Sequence, residues 1–398
     1  MEEKVSRIHP EIKVEECEAI QIPAQINLFT GQEEPVRYPV EREFDEEEIE
    51  MREGLTLVKS GDTSQLIVSG FGTFLSKVSE RLTVRIGKKV VYEFPFFRLS
   101  EVTVASKGVT ISTDLLQELC QRGIQINFLQ VSGKPYAKIT SPMLTATIAA
   151  RRAQIGALES ERGAHFAITV VANKINNQSK LLRYFGKYLK QSDPAVFDRI
   201  EVLAGELKSL AQKAKKFQGD SLSTARKGLL GMEGASSRMY WEGVQAIVSK
   251  KRELMGRVHR GATDEVNSLL NYGYGILYSQ VWGAVITAGL EPFAGFMHVD
   301  RPGKPSLVLD MVEEFRQPVV DRTVISHINL GEPIKMEGGL LSAETRTSYS
   351  QKILNRLESQ EVYQGKRYQI RSIIQIQARN LAAYLRGERD YRPFKFRW

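Results

Sequence analysis

The sequence predicts an α+β protein in which a small N-terminal antiparallel β domain precedes a larger all-helical domain. Short runs of β-branched and aromatic residues, separated by turn residues, follow one another between residues 61 and 140. After residue 141 the hydrophobic period changes from two residues to about 3.6, the period of an amphipathic helix. A chain of 398 residues is long enough for two or three cores, so burial does not limit this arrangement.

Residues 1–60 are predicted to form an acidic, flexible extension. They show little apolar periodicity and include the run Asp45-Glu46-Glu47-Glu48. Residues 1–53 hold 16 acidic and 6 basic side chains, and low hydrophobicity with high net charge is typical of disorder. The sequence leaves open whether these charges mask a basic surface or bind a partner.

The β domain is expected over residues 61–140. Its strand signals are six short runs, at residues 66–68, 82–86, 90–94, 102–104, 109–111 and 124–129. Turn residues such as Gly87-Lys88-Lys89 separate them, which favours hairpins and an antiparallel sheet. One short helix is predicted over residues 114–122, with Asp114 as its N-cap and Gly123 as its stop.

Residues 141–398 are expected to form the all-helical domain and to end in a basic tail. Helical patterns cover residues 143–158, 165–190 and 198–217. The second of these carries the basic residues Lys174, Lys180, Arg183, Lys187 and Lys190. The third carries Lys208, Lys213, Lys215 and Lys216 opposite a leucine stripe. Both faces are either solvated surfaces or parts of a wall that binds phosphates, and the sequence leaves both interpretations open.

Residues 271–290 form an uncharged stretch that raises the question of a membrane helix. The stretch contains four glycines together with asparagine, serine, glutamine and threonine. It is therefore too polar for a membrane span, and we expect a helix buried in protein. The N-terminus begins Met1-Glu2-Glu3-Lys4, without the order of a secretory signal. Two cysteines, Cys17 and Cys120, are too few for a disulfide framework or a thiolate zinc site. A cytoplasmic location is predicted.

The rest of the chain is strongly basic. Outside residues 1–53, the remaining 345 residues hold 31 acidic and 49 basic side chains, a net charge of +18. Such a charge favours a polyanionic partner, of which nucleic acid is the commonest. A generally solvated basic surface is the alternative.

Three side chains suggest a site for a divalent metal ion: Glu233, His298 and Glu313. Small residues follow Glu233, which permits close approach of a neighbouring element, and glycine and proline residues flank His298. With oxygen ligands and a single imidazole, manganese or magnesium is preferred over structural zinc. Each of the three also has an ordinary explanation, as a helix-start acid or a loop histidine. The pattern is therefore a metal site only if the three converge.

The segment of residues 309–316 carries three acids. Asp310 and Glu313 are three residues apart and share one helix face, whereas Glu314 points about 100° away and is predicted to face solvent. Arg316 is placed either to orient the Glu313 carboxylate or to contact a phosphate. A metal ion here would polarise a phosphate oxygen. The ligands and the basic surface together predict phosphoryl transfer on a nucleic acid.

These motifs resemble those of a known family, the CRISPR-associated Cas1 integrases, over roughly residues 65–398. The matching motifs are Glu233-Gly234 followed by Tyr240-Trp241, residues 267–274, Met297-His298 followed by Pro302-Gly303-Lys304 and Ser306-Leu307, residues 309–316, and Tyr391-Arg392-Pro393-Phe394 with a final Trp398. The acidic extension departs from the family, whose β domain begins near the start of the chain.

The resemblance implies an adaptation integrase that inserts spacer DNA into the CRISPR repeat array. In the implied reaction, a 3′-hydroxyl of the spacer attacks a phosphodiester at the edge of a repeat, and cleavage of branched or double-stranded DNA uses the same chemistry. The implied partners are double-stranded spacer and repeat DNA, a second copy of the chain as a homodimer, and the small companion protein Cas2. No membrane is involved.

The resemblance also implies roles for individual residues. The catalytic metal ligands would be Glu233, His298 and Glu313, holding Mn²⁺ or Mg²⁺, with Asp310 as the acid that supports Glu313. Supporting or DNA-contacting roles, less specific to the motifs, fall on Arg238, Lys304, Asn267 and Arg316. Two other functions stay open: a DNA-binding scaffold subunit with a vestigial metal site, and a degradative nuclease that does not integrate.

Overall fold

The computed structural model describes residues 25–26, 33–34, 49–52, 54–60, 63–141, 147–217, 222–248, 251–259 and 261–396. The chain divides into two units, Met1–Glu46 and Glu47–Trp398. In the first unit, strands β1 (Gln25–Ile26) and β2 (Glu33–Glu34) pair antiparallel. The rest of the predicted extension up to Glu48 lies outside the described residues.

The second unit begins with a β region that contains one helix. Its elements are β3 (Ile49–Arg52), β4 (Leu55–Ser60), β5 (Thr63–Val68), β6 (Thr73–Val78), β7 (Arg81–Ile86), β8 (Lys89–Pro95), β9 (Leu99–Val104), β10 (Thr110–Ile111), α1 (Thr113–Gln121), β11 (Gln125–Leu129) and β12 (Pro135–Ile139). The strands form two sheets, ordered β10-β6-β7-β8 and β12-β11-β9-β5-β4-β3. Each of the six predicted runs overlaps an observed strand.

The predicted order of a β domain before a helical domain is confirmed, but the sheets are mixed and not antiparallel as predicted. Strand β9 runs parallel to both β5 and β11, and β10 runs parallel to β6. Parallel neighbours need a long crossover between them. The hairpins β6–β8 of the other sheet supply the crossover from β5 to β9, and α1 lies in the crossover from β9 to β11. Strand signals alone do not reveal which strands become neighbours.

The β region also begins before residue 61. Strands β3 and β4 extend the larger sheet, and Leu55 and Leu57 are buried in the same core as Leu66 and Val68. Two buried leucines directly after an acidic segment are too short a pattern to stand out as a strand. The extension predicted for residues 1–60 therefore ends earlier than expected.

The helix predicted in the β region is confirmed, with a different cap. Helix α1 begins at Thr113, and its N-cap is Ser112, not Asp114. The Ser112 hydroxyl accepts a hydrogen bond from the backbone amide of Leu115 at 3.3 Å. A serine side chain satisfies one of the free amides at a helix start. Gly123 follows the helix with a positive φ of 71°, as a stop residue should.

The C-terminal region is largely helical. Its helices are α2 (Thr147–Ala157), α3 (Glu161–Gly186), α4 (Pro194–Lys215), α5 (Leu222–Val248), α6 (Glu265–Thr287), α7 (Ser306–Val312), α8 (Arg322–Asn329), α9 (Ala343–Glu358) and α10 (Ile370–Leu385), with a π-helical turn at Arg316–Asp321. The helical patterns of the sequence match α2, α3 and α4.

Two short hairpins interrupt these helices, so the region is not all-helical as predicted. They are β13 (Met336–Glu337) with β14 (Leu340–Leu341), and β15 (Gln360–Tyr363) with β16 (Lys366–Gln369). The first turns at Gly338 and Gly339, both with positive φ, which is the backbone of a type I′ turn. This glycine pair is a hairpin signal that the helical periodicity around it concealed.

Helix α6 contains most of the uncharged stretch and lies in the core, as expected. Its buried residues include Leu269, Leu270, Ile276, Leu277 and Val281. Among the helices of the described residues, none combines the length and apolar character needed to cross a bilayer. The lack of charge in this stretch therefore reflects burial inside the protein.

The β region is docked on α6. Ile67 of β5, Leu129 of β11 and Ala105, the residue after β9, join the core of the helical region. Gln280 of α6 donates to Glu101 of β9 at 2.6 Å. Glu101 belongs to a buried polar group that also contains Lys138, whose pKa burial lowers to about 8 against the attraction of Glu101. This docking fixes the β11–β12 turn against the helices.

The closest approach at this interface depends on glycine. A Cβ atom placed on Gly275 of α6 would lie 1.7 Å from the carbonyl oxygen of Gly133 in the β11–β12 turn. We therefore expect Gly275→Ala to reduce the free energy of unfolding by about 1–3 kcal/mol through overpacking, measured by urea denaturation. Gly205→Ala on α4 is the control, because a Cβ there meets nothing within 4 Å. Equal stability of the two variants would contradict the tight docking.

Candidate metal centre

The three candidate ligands converge. Glu233 lies on α5, His298 in the loop between α6 and α7, and Glu313 directly after α7. Each offers a ligand atom, and these atoms all lie within 4.8 Å of one another. Separate elements thus bring two carboxylates and one imidazole to a single point, which the sequence could only propose.

Asp310 holds His298 in place. Its buried carboxylate accepts the backbone amides of Phe296, Met297 and His298 at 2.6, 3.0 and 2.9 Å. It also lies 2.7 Å from Nδ1 of His298, which leaves Nε2 for an ion. A carboxylate behind a ligating imidazole fixes its tautomer and orientation. Asp310 therefore supports the histidine loop, whereas the resemblance had implied support for Glu313.

Glu313 is held by two cations. Arg316 Nη2 lies 3.4 Å from Oε1 and Lys174 Nζ lies 2.8 Å from Oε2, and the side chain is almost fully buried. Burial raises the pKa of Glu313, but Arg316, Lys174 and His298 together outweigh it and lower the pKa to about 2. Glu313 is therefore anionic at neutral pH, as a metal ligand must be. The ion pair with Arg316 fits one of the two roles that the sequence left open for this arginine, which is to orient the carboxylate.

Sequence reasoning missed the role of Lys174, which it placed with the surface lysines. The side chain is only 7% exposed, and Nζ lies 2.5 Å from Oε1 of Glu233. The signal was present, because Lys174 follows Val170 by four residues and Val171 by three, on the buried face of α3. A lysine on an apolar helix face indicates a buried partner.

Two arginines near the triad contact the ring of one tyrosine. The guanidinium carbons of Arg257 and Arg316 lie 5.4 and 5.0 Å from the Tyr274 ring centroid, within cation–π range. The Tyr274 hydroxyl donates to the buried Asp321 carboxylate, which also accepts from Tyr240 at 2.6 Å. Tyr274 is thereby fixed, and it positions both cations.

A cavity of about 610 Å³ opens over the triad, with Lys174, Arg238, Trp241, Arg257 and Arg316 on its wall. A neighbouring cavity of about 830 Å³ shares Arg257, Tyr274 and Arg316 and reaches the β11–β12 turn. Among the lining residues of both, cations and aromatic rings recur. Such a lining suits a nucleic-acid strand, whose phosphates pair with cations and whose bases stack on aromatic rings.

The donor set fits a divalent cation. Two carboxylates and one imidazole suit manganese or magnesium. Within the described residues, Oε2 of Glu313 is buried and has no hydrogen bond of acceptable geometry, although Lys174 lies beside it. A buried carboxylate oxygen with an unused lone pair is suited to a metal ligand.

A family model described as CRISPR associated protein Cas1 matches residues 66–358. The chain belongs to the Cas1 family. A CRISPR-associated endonuclease Cas1 of Archaeoglobus fulgidus is 33% identical over 347 residues, covering 84% of this chain and 100% of that protein. One from Francisella tularensis subsp. novicida is 34% identical, covering 84% and 99%. The predicted membership of an enzyme family is thus confirmed, since these relatives are named endonucleases.

Solved structures share the fold of this Cas1-family chain. A casposase bound to integration product has a TM-score of 0.69 at 23% identity, covering 82% of this chain and 91% of that one. A CAS1 protein from Thermotoga maritima has a TM-score of 0.67 at 20% identity, covering 83% and 99%. A chain of a Cas6-RT-Cas1–Cas2 complex has a TM-score of 0.68 at 22% identity; 85% of this chain matches 36% of that one.

The residues that the Cas1 resemblance placed near DNA have different surroundings. Arg238 is exposed and lines the cavity over the triad. Lys304 is half-buried, and its backbone forms an isolated β-bridge with that of Arg301. It is not part of that cavity's described lining. Asn267 is buried; it accepts from the amide of Val258 and from Nη1 of Arg257, both at 2.9 Å. Asn267 therefore positions Arg257.

Glu314 is fully buried, so the prediction that it faces solvent is wrong. Helix α7 ends at Val312, and the angle expected for a continuing helix does not apply beyond it. Glu314 accepts hydrogen bonds from Gln377 and from the amide of Phe394, both at 2.9 Å, and from the Tyr391 hydroxyl. The predicted basic tail is therefore packed against the residue next to Glu313.

Removing this carboxylate should loosen the turn that carries Glu313. We expect Glu314→Ala to lower the free energy of unfolding by at least about 2 kcal/mol, because three buried donors lose their acceptor. Chemical denaturation measures the loss. Glu388→Ala is the matched control, since Glu388 is exposed and pairs only with Arg386 among the described ion pairs, and should unfold like the parent. A Glu314→Ala protein as stable as the parent would contradict this role.

Proposed function

We propose that this chain is a CRISPR adaptation integrase that inserts spacer DNA into the repeat array by metal-dependent transesterification. The observation that carries the proposal is the convergence of Glu233, His298 and Glu313 beneath a cavity with a cationic wall. Membership of the Cas1 family supports DNA as the substrate. The same site would cleave branched or double-stranded DNA when water replaces the 3′-hydroxyl.

Glu233, His298 and Glu313 would hold Mn²⁺ or Mg²⁺, which supplies Lewis-acid polarisation of a phosphate oxygen and stabilises the oxygens that enter and leave. Asp310 keeps the His298 ring oriented. Arg257 and Arg316, fixed by Tyr274, are placed to bind non-bridging phosphate oxygens, which are recognised well by guanidinium groups. No side chain has to act as the nucleophile, because the 3′-hydroxyl of the spacer does so.

The proposed partners are spacer and repeat DNA, a second copy of the chain and a Cas2 protein. The shared fold with a chain of a Cas6-RT-Cas1–Cas2 complex and with a casposase bound to integration product supports Cas2 and DNA as partners, whereas the second copy of the chain rests on the family resemblance. The exposed lysines of α4, namely Lys208, Lys213 and Lys215, and the adjacent Lys216 are our proposed phosphate-binding wall.

Loss of one ligand should abolish strand joining. We expect Glu233→Ala, His298→Ala and Glu313→Ala each to reduce joining in manganese by at least about 100-fold while DNA affinity stays close to that of the parent. The assay uses a supercoiled repeat plasmid, a spacer-length duplex and Cas2. Glu206→Ala, an exposed acid on α4, is the control for loss of one negative charge.

The outcomes of this assay separate the three candidate functions. Undiminished joining by all three variants would refute the proposal. DNA binding without joining or cleavage by the parent would favour a scaffold with a vestigial metal site. Cleavage of linear DNA without transfer to the acceptor would favour a degradative nuclease. The pairing of both acids with Lys174 favours a working site over a vestigial one.

The salt dependence of DNA affinity tests the lysine wall. For the parent, log affinity should fall with log salt by about 0.9 for each phosphate neutralised. A variant with alanine at Lys208, Lys213, Lys215 and Lys216 should have a shallower slope, measured by fluorescence anisotropy. Replacing the exposed Lys88 of the β7–β8 turn and Lys89 at the start of β8 provides the control. An unchanged slope in the α4 variant would mean that these lysines are only solvated.

A further inference from the structure

Lys174 occupies an unusual position for a helix lysine, because its ammonium group lies between two of the candidate metal ligands. Nζ is 2.5 Å from Glu233 Oε1 and 2.8 Å from Glu313 Oε2. The side chain is buried on α3, on the helix face that also carries the buried Val170 and Val171. A buried ammonium group is tolerated only when it is paired, and the partners here are these two carboxylates.

The pairing accounts for how the acids stay together. Glu233 and Glu313 repel each other when both are ionised, and their repulsion is stronger in a partly buried site than in bulk water. Lys174 contacts both, whereas Arg316 contacts Glu313 alone among the described ion pairs. The lysine is thus the monovalent cation that the two acids share.

We propose that Lys174 is a resident counter-ion that a divalent cation has to displace from Glu233 and Glu313. The proposal rests on the metal site of the proposed function. An ion held by these carboxylates and His298 takes over the charge balance that the ammonium provides, and it repels the ammonium. Lys174 also lines the cavity over the triad. The displaced ammonium therefore stays at the cavity wall, where it can donate to a phosphate oxygen.

The expected consequence is that Lys174 lowers the affinity for divalent cations. In the full-length protein, Lys174→Met should bind Mn²⁺ at least about tenfold more tightly than the parent, because the cation no longer competes with a unit charge a few ångströms away. Isothermal titration calorimetry without DNA measures this. Lys174→Arg, which keeps the charge, should bind much like the parent, and Lys208→Met controls for loss of an exposed lysine.

The variant also separates a counter-ion from a merely structural lysine. In EDTA, Lys174→Met should melt below the parent, and saturating Mn²⁺ should raise its melting temperature more than that of the parent. Equal or weaker Mn²⁺ binding by a folded Lys174→Met protein would overturn the proposal. Binding by the parent but no gain in the variant rejects this inference alone, whereas binding by neither rejects the proposed metal site as well.

A measurement on the parent protein covers the case in which Lys174→Met fails to fold. Amine-reactive labelling followed by mass spectrometry reports how accessible each lysine is. Labelling of Lys174 should rise severalfold when Mn²⁺ replaces EDTA, while labelling of the exposed Lys208 stays constant. Labelling of Lys174 that is unchanged or reduced by Mn²⁺ would overturn the displacement.

Discussion

The rest of this structure depends on two carboxylates, the half-buried Glu233 and the buried Glu313, that are held close enough to share one ion. Glu233 and Glu313 come from different helices, α5 and the end of α7, and their mutual repulsion would drive them apart without compensation. Lys174 from α3 lies within 2.8 Å of both, and Arg316 pairs with the other carboxylate oxygen of Glu313. The packing of α3 against α5 is therefore coupled to the electrostatics of the centre. Helix packing brings the charged groups together, and their ion pairs stabilise the packing.

Three further buried acids support this arrangement, each by accepting several hydrogen bonds. Asp310 fixes the loop that presents His298. Asp321 fixes Tyr274, the tyrosine whose ring both arginines contact. Glu314 joins the turn after α7 to α10 and to the C-terminal segment, and its backbone carbonyl accepts from Asn177 of α3 at 3.2 Å. A buried carboxylate is costly unless its lone pairs are used, and here each satisfied acid fixes one wall of the site. Catalytic geometry needs such support at a precision of about half an ångström.

The β region contributes to the same site through its position. Its docking on α6 brings the β11–β12 turn to the second cavity, which shares Arg257, Tyr274 and Arg316 with the cavity over the triad. A continuous cationic and aromatic lining therefore extends from the acids toward the sheets. Membership of the Cas1 family is consistent with this geometry, since the curated relatives are named endonucleases. The proposed integrase chemistry requires no protein nucleophile, only positioned phosphates and a cation site.

The sequence alone determined the α+β order, the burial of the helix over residues 271–290, the three candidate ligands and the family, because these depend on local periodicity and on motifs. It misplaced Glu314 and Lys174, since whether a charged side chain is buried depends on what packs over it. For Glu314 that cover is a segment near the C-terminus, about eighty residues away; for Lys174 it is the acid pair itself. Strand neighbours were likewise beyond local signals, because parallel pairing joins segments that are distant in the chain. Only the tertiary structure could decide that three weak ligand candidates meet within 4.8 Å and that a lysine lies between two of them.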